Sequence, residues 1–240
     1  MKRTAAALCA AFCLLSPPCA AESWDEISEG LDDLKTFIDT AFEKERGQAA
    51  GGTDWVYLDE AAPASLATVP QRLNAQDTAA VYYAMNTGPI LLSEEACDAL
   101  LAMNGAAEKD GVELFLRRGY QSLAAERERM ARREASGLKT EDPEFSDWRT
   151  GLAVVLVGRD WRTKELTADF GETAEAAWLE QHCAEFGFII RYPRGCEKET
   201  GHDWEPWHLR YVGTEVIMRM LELGTRTLEA YQRAAQAHEE

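Results

Sequence analysis

The chain has 240 residues, with 42 acidic and 25 basic side chains and a formal charge of −17. That balance argues against a nucleic-acid binder, which needs a basic face to displace counterions from phosphate, and against docking on anionic lipid. The length allows one domain with a full core and an accessory segment beside it.

The opening "MKRTAAALCAAFCLLSPPCAA" places Lys2 and Arg3 before an apolar run from Ala5 to Leu15 and small residues at Cys19-Ala20-Ala21. The run is shorter than the roughly 20 residues a spanning helix needs. Residues 1–21 therefore predict a cleavable secretory signal, a secreted or extracytoplasmic product, and no stable membrane span after cleavage. Cleavage after Ala21 takes the charge from −17 to −19. The chain beyond it keeps Cys97, Cys183 and Cys196, without a CxxC pair, which argues against a structural zinc knuckle. A Cys183–Cys196 disulfide and three separate buried thiols are both open.

Residues 22–46 predict an amphipathic helix, with Trp24, Ile27, Leu31, Leu34 and Ile38 at three- and four-residue steps. It is either a surface for a protein partner or a brace on the domain. "GQAAGGTD" (47–54) reads as a linker, and residues 55–240 as the main domain. There a helix follows Ser93, with Glu94 and Glu95 in its first turn. Residues 112–120 form a strand and 122–135 a charged helix. The β-branched run 151–158 is a buried strand. Residues 173–186 form a helix with Ala177, Trp178, Cys183 and Phe186 inward. Strands 187–193 and 208–213 precede a last helix capped by Thr214, with Ile217, Met220, Leu221, Leu228 and Tyr231 on one face. Strands cluster between helices without regular alternation, which predicts an α+β fold with helices packed on a small, mainly antiparallel sheet.

Glu205-Pro-Trp-His208 sets a carboxylate three residues before an imidazole, a spacing that lets a metal-bound histidine and a general base share one water. The wider stretch "EPWHLRYVG" (205–213), with "FGFIIRYPRG" and "ETG" before it, resembles the second motif of the VanY-type zinc D-alanyl-D-alanine carboxypeptidases, Glu-x-Trp-His-x-Arg-Tyr-Val-Gly. "LRRGYQS" (116–122) resembles that family's Ser-Gly-Tyr-Arg-Ser segment. The resemblance covers residues 55 to 220. It implies the VanY-like peptidase fold and a history of trimming terminal D-Ala from peptidoglycan stem peptides.

The family's first motif, Ser-x-His-x-x-Gly-x-Ala-x-Asp, falls on residues 146–155. Ser146, Gly151 and Ala153 match, but the zinc-ligating His is Trp148 and the ligating Asp is Val155. The Arg of Gly-Tyr-Arg is Gln121. An indole nitrogen only donates, valine offers no donor, and a catalytic zinc needs about three protein ligands. Only His208 remains. Without the metal, Glu205 has no activated water to use. Compensation by His202 requires a sharp turn at "HDWEP". Asp147, next to Trp148, should face away if the segment is a strand. Asp160 lies past the strand end, and His182 is a core-edge residue.

Two functional readings of the domain follow, beside a third in which the 23–46 helix binds a protein partner and the domain is its scaffold. The favoured one is a secreted, wall-associated pseudopeptidase that needs no cofactor and binds a peptidoglycan-derived peptide, with Tyr120, Gln121, Ser146, Trp148 and Trp207 as lining and Glu205 and His208 as the remnant of the catalytic and metal positions. The alternative is an active zinc D,D-carboxypeptidase or dipeptidase with a rebuilt metal site.

Overall fold

A computed structural model describes residues 73–75, 82–83, 90–138 and 140–239. The signal segment 1–21, the helix 22–46 and the linker 47–54 lie outside these residues, as does the start of the main domain.

The strands are β1 (Leu73–Ala75), β2 (Tyr82–Tyr83), β3 (Leu91–Ser93), β4 (Phe115–Arg118), β5 (Ala153–Val157), β6 (Phe188–Ile190) and β7 (His208–Tyr211). Five of them form one sheet in the order β2-β4-β5-β7-β6, and β1 pairs with β3 separately. Among the described residues only the β2–β4 pairing is parallel; the others in the sheet are antiparallel. The α+β expectation, with a small and mainly antiparallel sheet, therefore holds.

The β-branched run sits at the centre because it can be covered on both faces. All five residues of β5 are buried. Helix α1 (Glu94–Lys109) starts where Ser93 Oγ accepts the Ala96 N–H at 3.3 Å. It buries Ala96, Leu100, Met103 and Ala107, one stripe of a 3.6-residue repeat. These residues join Leu92, Leu116, Leu156, Phe188 and Leu209 in the main core. On β6, Phe188 enters that core while its neighbour Ile189 enters a second one with Ile217, Met220, Leu221, Leu228 and Tyr231. Alternation along one strand thus links the two cores.

Three local expectations need correction. The last helix is two: α5 (Thr214–Glu222) and α6 (Leu228–Glu239). The chain turns at Gly224, φ 63°, where the Gly224 and Thr225 N–H groups donate to Leu221 and Met220 carbonyls; such a left-handed turn ends helices and suits glycine. The cap residue of α5 is Gly213, without a side-chain bond, rather than Thr214. The helix α3 (Ala174–His182) tightens into a 3-10 turn over Cys183–Phe186, and Ala177 faces solvent while Ala176, Trp178 and Leu179 face inward. The remaining α-helices among the described residues are α2 (Leu123–Ala135) and the short α4 (Glu197–Thr200). Cys97 and Cys183 are buried and belong to no disulfide, which excludes the Cys183–Cys196 pairing. Cys97 and Cys183 thus stand as separate buried thiols.

Candidate functional site

The sheet register brings the motifs together. Val155 of β5 pairs with His208 of β7, and on its other side with Arg118 of β4, at a point where the β4–β5 register shifts. Arg118, Val155 and His208 therefore stand side by side across three strands. Trp148 arrives from a 3-10 turn, Asp147–Thr150, that ends at Gly151 in the left-handed region, φ 72°. Its indole stacks on His208, with ring centroids 4.3 Å apart and planes 21° from parallel. The Arg118 guanidinium carbon lies 4.0 Å from the centroid of the same indole.

His208 is 2% exposed. Its Nδ1 meets Glu205 Oε2 at 2.9 Å, and its Nε2 lies 3.4 Å from Asp147 Oδ2. Burial pulls the imidazole below its usual range, against the opposing pull of Glu205. For Glu205 burial works upward, but the bond to His208 and the charges of His208, His202 and Arg118 outweigh it and hold the carboxyl low. Asp147 also pairs with Arg210 and lies 3.8 Å from Arg191 Nε. Arg191 is clamped by Glu229 at 2.8 and 3.1 Å. Asp147 thus belongs to the site, contrary to the strand-based expectation. The segment is a 3-10 turn, so the two-residue alternation that would have turned it away does not operate.

His202 does come back towards His208, through the turn at residues 200–206, but a ring stands between them. Tyr192 stacks on His202 with centroids 4.1 Å apart and meets His208 edge-on at 5.1 Å. His202 Nε2 instead lies 3.6 Å from Glu141. His182 is held by Glu185 at 2.8 Å and stacks on Trp178.

The other sequence-predicted residues divide in two. Tyr120 and Gln121 are partly exposed, and the Gln121 N–H donates to the Trp148 carbonyl at 2.9 Å, which ties the two motif segments together. Ser146 is fully buried, and its hydroxyl donates to Glu126 at 2.9 Å. Trp207 is 8% exposed and sits edge-on to Phe170 in the main core. Three groups escaped sequence reasoning, Arg118, Glu126 and Arg191, and a fourth, Asp147, was weighed there and set aside. A signal existed for part of this network: "IIRY" and "HLRY" carry Arg191 and Arg210 in apolar surroundings, and a buried arginine demands a carboxylate.

The donor set does not fit a catalytic zinc. The two carboxylates beside His208 sit at different ring nitrogens, so either nitrogen can share an ion with only one of them. Trp148 and Val155 add no donor. Among the described residues no group of three His, Cys, Asp or Glu side chains is placed to hold a metal ion.

Comparison with known proteins bears on the family and the fold. The family described as VanY, D-alanyl-D-alanine carboxypeptidase, matches residues 89–214, just over half of the chain. The chain is 37% identical over 148 residues to the putative carboxypeptidase YodJ of Bacillus subtilis, covering 58% of this chain and 53% of that protein. The chain spans about half the length of the curated relatives it matches. Among solved structures, the LdcB LD-carboxypeptidase, described with its basis of peptidoglycan recognition, superposes with a TM-score of 0.61 at 33% identity, covering 69% of this chain and 78% of that one. The vancomycin-resistance D,D-pentapeptidase VanY, solved as a mutant with Zn(II), gives 0.56 at 25% identity, covering 74% and 97%.

Proposed function

The chain belongs to the VanY D-alanyl-D-alanine carboxypeptidase family, and we propose that it is an extracytoplasmic pseudopeptidase that binds a peptidoglycan stem peptide without cleaving it. The observation that carries this reading is the Trp148–His208 stack, 4.3 Å between centroids, beside Val155 at the second lost ligand position. Two apolar side chains fill the place that ligands would line. Such filling stabilises a core that no longer holds an ion, because it removes buried polar atoms without partners. Glu205 keeps its bond to His208 as a structural pair.

Recognition rests on the rim. Tyr120 and Gln121 are accessible, as are Glu205, with 33% of its side chain exposed, and Arg118, with 22%. The relatives' peptidoglycan substrates and the candidate signal at residues 1–21 support a wall-side location. No helix among the described residues is long and apolar enough to cross a membrane. The segment 22–46, amphipathic in sequence, is the part of the chain we propose for a protein partner.

One observation favours the alternative of a rebuilt metal site. Asp147 Oδ2 and His208 Nε2 are both buried without a hydrogen-bond partner, and their 3.4 Å separation is close to the roughly 3.3 Å between two donors on one tetrahedral zinc. Two donors fall short of three, and the same carboxylate already serves Arg210. The deciding experiment combines elemental analysis, a D-Ala release assay on a stem pentapeptide, and calorimetric titration with that peptide. The proposal expects no stoichiometric zinc, no release and saturable binding. One tightly held zinc per chain, lost in Asp147→Asn, would establish the alternative.

A further inference from the structure

We infer that Arg118 takes over the electrostatic place of the metal cation in this site, so that a fixed guanidinium, and not only the loss of two ligands, keeps a divalent ion out. This inference rests on the reading of a site without metal. Residue 118 aligns with a serine in the family's Ser-Gly-Tyr-Arg-Ser segment, and the family's arginine position is Gln121. A cation is missing from one position and present three residues earlier.

The new position is next to both vanished ligands. Arg118 pairs across the sheet with Val155, and its guanidinium lies over Trp148, 4.0 Å from the ring centroid. A guanidinium on an indole face is favourable, more so when partly desolvated. Glu126 holds it in place. That carboxylate has no exposed side-chain surface, and it binds Arg118, Arg129 at 3.0 Å and the Ser146 hydroxyl at 2.9 Å. Glu126 sits in helix α2, so the cation is anchored from outside the sheet and cannot swing away without stranding a buried charge. The guanidinium therefore supplies a positive charge next to the ligand positions, and a second cation entering there meets direct repulsion.

The test compares zinc binding, by calorimetry and by the zinc-dependent rise in melting temperature, in restored chains. The first carries Trp148→His and Val155→Asp. The others add Arg118→Gln, Arg118→Ser or Arg118→Lys. The melting curve reports that each variant folds, and the glutamine and serine versions are independent neutral replacements should one of them fail. Either neutral version is expected to bind zinc at least about 100-fold more tightly than the two-residue restoration, while the lysine version stays as weak as the latter. Equal affinity with and without Arg118, no binding by any variant, or lysine matching glutamine would overturn the inference and leave the pseudopeptidase reading intact. Stoichiometric zinc on the unaltered chain would instead overturn the reading on which it rests.

Discussion

Asp147 stands 3.4 Å from Nε2 of His208, the ring nitrogen that Glu205 does not bond. The same carboxylate is the ion-pair partner of Arg210, which is 1% exposed and whose pKa burial pulls down to about 9. A charge so deeply buried depends on its counter-ion. Asp147→Ala should cost about 3–5 kcal/mol of stability, because removing one partner of a buried pair leaves the other uncompensated. Asp147→Asn, which keeps an acceptor oxygen, should cost less. Urea denaturation of both variants measures the difference, and an unchanged midpoint for the alanine would show that Asp147 carries no such charge.

Trp148 is predicted to be a structural residue first. It is 6% exposed and packs on His208, with Arg118 over its face. Trp148→Ala should cost about 3–5 kcal/mol, the range for emptying a buried aromatic site. Trp148→Phe, which keeps a flat ring against the imidazole, should recover most of that. Guanidinium denaturation is the check. A tolerant site, with the alanine within about 1 kcal/mol of the parent, would mean the indole is a removable plug rather than part of the core.

Much of this arrangement was legible in the residues because it depends on wording rather than distance. The run at 151–158 announced the central strand, Ser93 and Ser122 announced two helix starts, and the motif at 205–213 placed Glu205 three residues before His208. Trp148 and Val155 stood out because the rest of their motif survives around them. The charge network was not legible, since most of it joins residues far apart in the chain: Arg118 with Trp148, Asp147 with Arg210, Arg191 with Glu229. The error over Asp147 came from assigning strand alternation to a 3-10 turn. The break at Gly224 was missed because the apolar stripe continues across it into one shared core.

Acid should unfold the protein partly through Glu126. Burial works to raise its pKa, but Arg129, Arg118 and the Ser146 hydroxyl outweigh that and hold it below the ordinary 4.5. A carboxyl with a depressed folded-state pKa binds fewer protons folded than unfolded, so its contribution is complete above the unfolded value. It is lost as pH falls from there through the folded value. The groups facing it are Arg118 from β4, Arg129 from its own helix and Ser146 from the loop before the 3-10 turn, with Glu141 3.6 Å from Arg129. Stability should therefore fall below pH 4.5 in the parent. In Glu126→Gln it should be lower at neutral pH and flatter over that acid range. A variant that kept the parent's full acid slope would place the titration elsewhere.

The approach to the rim is set by Gly119. A methyl group there would meet Ile90 Cγ2 at 2.5 Å and the Leu91 carbonyl oxygen at 2.8 Å, and backbone atoms do not yield cheaply. The close contact exists because the next residue, Tyr120, donates its N–H to that same carbonyl at 2.8 Å. Gly119→Ala must push β4 away from β3 or break this bond, and overpacking of this kind costs about 1–3 kcal/mol. The strain falls on the link between Arg118 and the Tyr120–Gln121 rim. Gly119→Ala should therefore weaken stem-peptide binding by more than its loss of stability explains at temperatures where it is fully folded. Calorimetry on the folded variant measures this, and parental affinity would separate the rim from the recognition surface.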